Sequence, residues 1–157
     1  MLAARGVENV VLISNSLRSN RFEVVRNVLE KYPQINCSMR ICSRNLSNDE
    51  AESMAVELLD SVKPPCGFVV MGDMLGWCLC NEAVRRKYVL KKDISIIGTA
   101  GLPESGRMNP ALSVIEVPVK EQAAAAVSQI SAVLKGSTLP EDMRQIKVES
   151  RIILRDT

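Results

Sequence analysis

Short, β-branched apolar runs alternate along the chain with longer stretches in which apolar residues recur every three or four positions. The runs predict strands over residues 9–13, 36–41, 67–71, 94–98, 113–117 and 146–154. The stretches between them predict helices over 21–31, 48–62, 74–86 and 119–135. Strand and helix in alternation call for an α/β fold with a mostly parallel sheet flanked by helices, in Rossmann-like layers. The third strand has the sharpest limits, because Pro64 and Pro65 stop the helix before it and Gly72 ends it. At 157 residues and 46% apolar, the chain has material for one core, and neither an internal repeat nor a low-complexity linker divides it.

Charge changes this picture little. Twenty Lys and Arg against 18 Asp and Glu leave a net charge of +2, and the basic residues are scattered, so this chain alone carries no electrostatic footprint for nucleic acid. Five cysteines without a Cys-x-x-Cys pair suit a reducing compartment, and we expect a cytoplasmic protein. No apolar stretch approaches the roughly 20 residues needed to cross a bilayer, and no export signal is visible.

Chemistry is narrowed more sharply. The chain has no histidine, which removes His-based triads, HExxH zinc sites and the commonest general base. There is no Gly-x-Ser-x-Gly elbow, and neither the P-loop nor the Gly-x-Gly-x-x-Gly pattern occurs. Cys78 and Cys80 stand two apart on a predicted helix and therefore face different ways, against a shared metal. We expect no enzyme activity, no metal and no cofactor.

One stretch says more. From Pro64 to Pro118 the chain reads Pro-Pro-Cys-Gly-Phe-Val-Val-Met-Gly-Asp, a helical run, Asp93-Ile-Ser-Ile-Ile-Gly98, then a loop ending Asn109-Pro-Ala-Leu-Ser-Val-Ile-Glu-Val-Pro118. This order of strand, polar turn, helix, strand, glycine and long loop resembles the effector-binding core of LacI/GalR-type transcriptional regulators. The start is similar too: Leu2-Ala-Ala-Arg-Gly6 looks like the last turn of a helix closed by glycine before the strand Val10-Val-Leu-Ile13. The resemblance implies one lobe, residues 1–157, of a type I periplasmic-binding-protein-like domain, covering about the second half of a regulator. By it, the helix-turn-helix that reads operator DNA and the first lobe lie outside this chain. The helix over 119–135 is expected to pack on that first lobe or on a second subunit.

The resemblance also implies a small-molecule effector, a sugar or sugar-like compound, and a homodimer. Arg21, at the start of the first helix, occupies the place of a ligand-contacting arginine; otherwise it would be a solvated helix-end residue. Asp73 occupies the place of the family's turn aspartate and can also cap the helix beginning at Met74. Thr99 follows the fourth strand, while Asn15 and Asn45 follow the first two; with Arg21 and Asp73 these complete the expected lining. The chain departs from the pattern where Gly72 replaces an asparagine and Ala100 an aspartate. With Arg21 and Arg44 at the rim, that exchange favours an anionic effector such as a phosphorylated or acidic sugar. Trp77, the single tryptophan, is expected in the core or at a subunit contact. A periplasmic-type solute-binding protein and a small α/β enzyme are the alternatives.

Overall fold

The computed structural model describes residues 7–15, 20–43, 45–136 and 145–157, without the side chains of 20–23 and 26. In chain order these form β1 (Asn9–Ser14), α1 (Asn20–Leu29), β2 (Asn36–Ile41), α2 (Asn48–Asp60), β3 (Cys66–Val70), α3 (Asp73–Arg85), β4 (Ile94–Gly98), a single 3-10 turn (Pro103–Gly106), β5 (Ser113–Glu116), α4 (Val119–Leu134) and β6 (Arg151–Ile153). The strands make one sheet in the order β2-β1-β3-β4-β5-β6. All neighbours are parallel except β5 and β6. The fold is therefore the mostly parallel α/β lobe that the sequence pattern calls for. The helix end at residues 1–6 falls outside the described residues.

The middle strands are apolar because both of their faces are covered. On one face Val11, Ile13, Cys66, Phe68, Val70, Ile94, Ile96, Leu112 and Val114 meet Ala51, Ala55, Leu58 and Leu59 of α2 and Leu75, Leu79 and Ala83 of α3. Val10, Leu12 and Ile97 are also buried but stand apart from that cluster. Right-handed crossovers place α1 on the opposite face from α2 and α3, since β1 leads to β2 at one edge and the chain then returns past β1 to β3. Each fully buried leucine or isoleucine contributes about 1.5–3 kcal/mol, so this helix-on-sheet layer holds most of the lobe's stability.

Local signals fix the helix positions. Ser47 accepts the Glu50 N–H, and the Glu50 carboxylate accepts the Ser47 N–H at 2.8 Å, a reciprocal capping box at the start of α2. Glu82 of α3 is gripped by Arg85 and Arg86, each at 2.6 Å, and Arg86 reaches across to Asp60 of α2 at 2.7 Å. These bonds tie the ends of the two helices together over the core.

The C-terminal segment differs from expectation. Of the strand expected over 146–154, only Arg151–Ile153 pairs with β5, in the register Val114↔Ile153, Ile115↔Ile152 and Glu116↔Arg151. The reason is the length of β5, which has four residues and offers no longer ladder. Beyond it the tail is held by side chains instead: the Thr157 hydroxyl donates to the Ile96 carbonyl at 2.7 Å and accepts the Ser113 N–H at 2.9 Å. The guanidinium of Arg155 donates to the Leu112 carbonyl at 2.5 Å.

Candidate functional site

In an open parallel sheet the polar loops at the carboxyl ends of the strands are the place for a ligand, above all where the strand order reverses. Here the reversal lies between β1 and β3. The edge is formed by Asn15 after β1, the turn Met71–Gly72 after β3 and the loop from Thr99 after β4, with Asn45 beyond β2. Asn15 and Asn45 are exposed, and Thr99 is half-buried. Arg21 is the second residue of α1, which starts on the same edge; its side chain lies outside the described residues, as do Ser16 and Arg44. The backbone thus brings four of the five expected positions, Asn15, Arg21, Asn45 and Thr99, to one side of the sheet.

Asp73 stands on that edge but is turned inward. It is only 2% exposed, and its carboxylate accepts the N–H of Ala100 at 3.1 Å, the N–H of Leu102 at 2.8 Å and the hydroxyl of Ser105 at 2.5 Å. Contrary to the expected cap, the helix begins at Asp73 itself, Gly72 is its N-cap with φ 111°, and no side chain caps it. The loop after β4 is a stronger competitor for this carboxylate than the helix's own N–H groups, because it supplies three donors in a dry site. Gly98 permits this: a Cβ there would lie 2.6 Å from Asp73 Oδ1 and 3.0 Å from the Leu112 side chain.

Ser105 and Gly98 are therefore parts of the edge that sequence reasoning missed or left without a role. A strand-end glycine was visible as Gly98, and close backbone approach is what such a glycine signals. Nothing in the sequence marks Ser105, which lies 32 residues from its partner.

Among the described residues the rest of the surface offers little chemistry. Three grooves are lined by described residues: about 410 Å³ between α2 and α3 beside Cys78, Glu82 and Arg85, about 530 Å³ at the starts of β1 and β2, and about 430 Å³ on the flank of α2 beside Ser43. None of the three includes Asn15, Gly72 or Thr99. Burial pushes the Cys66 thiol up to about 11 and the Cys80 thiol up to about 12, so both stay protonated and unreactive at neutral pH. Among the described residues no group of His, Cys, Asp and Glu is placed to hold a metal ion. No described helix is long and apolar enough to cross a membrane. Trp77 is half-buried on α3, with its indole N–H enclosed and without an acceptor among the described residues.

Comparison with known proteins agrees with this fold. The family model described as a periplasmic binding protein-like domain matches residues 1–157. The ribose operon repressor of Bacillus subtilis (strain 168) is 32% identical over 104 residues, 66% of this chain and 32% of that protein. Among solved structures, a LacI family transcriptional regulator from Arthrobacter sp. FB24 in complex with lactose superposes with a TM-score of 0.84 at 18% identity, covering 99% of this chain and 58% of that one. A LacI family regulator from Enterococcus faecium with bound ribose superposes with a TM-score of 0.74 at 20% identity, over 99% and 58% of the two chains. The chain spans a third of the curated relative's length and under two thirds of these solved chains. These relatives are regulators and not enzymes. With the whole of the chain matched, and with a strand order in keeping, it belongs to the periplasmic binding protein-like domain family.

Proposed function

We propose that this chain is the ligand-sensing and dimerising lobe of a LacI-type transcriptional regulator that works in the cytoplasm. It binds a sugar or sugar-like effector at the carboxyl edge of the sheet, through Asn15, Arg21, Asn45 and Thr99, with Asp73 holding the loop that carries Thr99. The observation that carries this reading is the convergence of those positions on one edge beside the β1/β3 reversal, in a chain whose relatives are regulators. Two of the solved relatives hold lactose and ribose, which makes a sugar the first class to test. Operator DNA would be read by a helix-turn-helix unit outside these 157 residues, and effector binding would alter the relative orientation of two lobes.

An anionic effector fits the edge best. The carboxylate of Asp73 is committed to three donors, and Ala100 offers a methyl group where an aspartate would grip sugar hydroxyls. An arginine at the start of α1 favours a phosphate or carboxylate by charge-assisted hydrogen bonds. The apolar stripe of α4, with Val119, Val127, Ile130, Val133 and Leu134 all more than half exposed, docks on the first lobe of a longer chain or on a second copy.

The test is a titration of the ¹⁵N-labelled chain with ribose, ribose 5-phosphate and lactose, followed by amide shifts. The expected result is saturable movement of the Asn15, Thr99 and Ala100 amides at millimolar ligand, tightest for ribose 5-phosphate and weakened in Arg21→Ala. Binding of the neutral sugars alone would overturn the anionic part. Silence of all three amides with every ligand would overturn effector binding by this lobe.

A further inference from the structure

The segment from Thr99 to Gly106 is the first part of the connection from β4 to β5 and is held from three sides. At one end Asp73 accepts from Ala100, Leu102 and Ser105, fixing the segment against the start of α3. At the far side the Ser105 carbonyl accepts the Leu112 N–H at 2.9 Å, and the Arg155 guanidinium packs on Gly106, 3.2 Å from where a Cβ would stand. Between these lies Gly101, with φ 74°. A Cβ there would stand 2.6 Å from the Cα of Glu116, and the Val117 N–H donates to the Ala100 carbonyl at 3.4 Å.

Glu116 is a particular place in the chain. It ends β5, faces Arg151 across the β5/β6 ladder and pairs with its guanidinium at 2.9 Å. Here the chain leaves the sheet for α4, and at Arg151 it returns. No residue of α4 is buried, and its N-terminal end joins the sheet at this root.

We infer that residues 99–106 form a bracket that transmits displacement of the cleft edge at Thr99–Ala100 to the root of α4 at Glu116–Val117. Gly101 is the point of contact, and Asp73 and Ser105 are positioning residues that hold the bracket against it. The nearest atom to a Cβ at Gly101 is the Cα of Glu116, with the Glu116 Cβ and Cγ next, so a shift of Ala100 presses on backbone that no side-chain rotation can clear. The identity of the push rests on the effector reading; the tie between edge and root does not.

The experiment uses the ¹⁵N-labelled chain, its Ser105→Ala and Gly101→Ala variants, and ribose 5-phosphate and ribose as probes. In wild type, the amides of Ala100, Val117 and Arg151 should move together with one apparent dissociation constant. In either variant the Thr99 response should persist while the Val117 and Arg151 responses fall several-fold. Ser105→Ala removes one hydroxyl from a buried site and keeps the backbone, so it carries the test if Gly101→Ala does not fold.

Undiminished responses at Val117 and Arg151 in the variants would overturn the bracket, as would a wild type in which Thr99 responds and Val117 does not. Should no edge amide respond to either probe, the effector reading fails, and the ligand-free spectra decide the bracket. Ser105→Ala should then speed exchange of the Ala100 and Leu102 amides about tenfold and shift Val117 and Arg151. Faster exchange at Ala100 with Val117 and Arg151 unmoved would refute it.

Discussion

Replacing Asp73 by alanine removes the acceptor of three hydrogen bonds at once. The carboxylate is 2% exposed and faces the N–H groups of Ala100 and Leu102 and the hydroxyl of Ser105. Hydrogen bonds to an ionised group contribute about 1.5–3 kcal/mol each, and a buried N–H left without a partner costs about 1–3 kcal/mol. Water entering the space relieves part of that penalty, so the three contacts together should amount to about 3–5 kcal/mol rather than their full sum. Against a typical total of about 5–15 kcal/mol, such a loss is large. Urea unfolding followed by circular dichroism should show the unfolding free energy lowered by that amount, seen as a lower midpoint at an unchanged slope. Asp73→Asn keeps one acceptor oxygen but turns an N–H₂ toward the donors, and should fall between wild type and alanine. Trp77, one turn along α3, reports the local change by fluorescence. A loss below about 1 kcal/mol for Asp73→Ala would refute the view that this carboxylate braces the edge.

Three further outcomes follow from the same structure. Glu82 is pulled down to about 2 from an ordinary 4.5 by the guanidinium groups of Arg85 and Arg86, so its stabilising effect is complete above about pH 5 and disappears as pH falls toward 2. Glu82→Gln should therefore lower stability at pH 7 by about 1–3 kcal/mol, discounted because Arg85 is largely solvated, with the gap to wild type narrowing by pH 3 in acid titration of the folded fraction. Of the five cysteines only Cys37 is exposed, so Ellman's reagent should modify one thiol rapidly and the other four only on unfolding; two fast thiols would contradict the packing of α2 and α3. Ser47→Ala breaks the capping box of α2 and should cost about 1 kcal/mol in thermal unfolding, with Ser47→Asp nearly neutral.

How much of this was legible in the sequence depends on the range of the interaction. β2 and β4 lie where the pattern puts them, at Asn36–Ile41 and Ile94–Gly98, because β-branched runs and their polar stops are local. β6 is shorter than its pattern suggests because alternation of Ile and Val with polar residues looks like a strand whether or not a partner exists. Only the four-residue β5 decides how far pairing runs. The role of Asp73 was misread for the same reason. Its neighbours make capping the obvious local use, while Ser105 and Leu102 reach it only after β4 has been laid beside β3. Asn15, Asn45 and Thr99 were legible as strand-end positions, since the fold class fixes where strand ends go. In the proposed function their contacts with a ligand would depend on groups facing them from a second lobe.

That last dependence bears on how such a lobe can sense anything. A single open wall offering three or four polar contacts, each contributing about 1 kcal/mol net, amounts to about 4 kcal/mol, which corresponds to millimolar affinity. Tight binding requires a second wall, and the difference between open-wall and closed-cleft affinity is the free energy available to turn one lobe against the other. A wall that bound its ligand tightly alone would leave little difference to drive the change. Under the proposed function, an edge with Gly72 and Ala100 in place of polar residues, and with the buried Asp73 committed to holding a loop, would suit a sensor whose specificity is completed by closure. The bracket proposed at Gly101 would then have a physical purpose. It places the root of α4, the outlying helix of this lobe, under the same residues that the closing ligand would press.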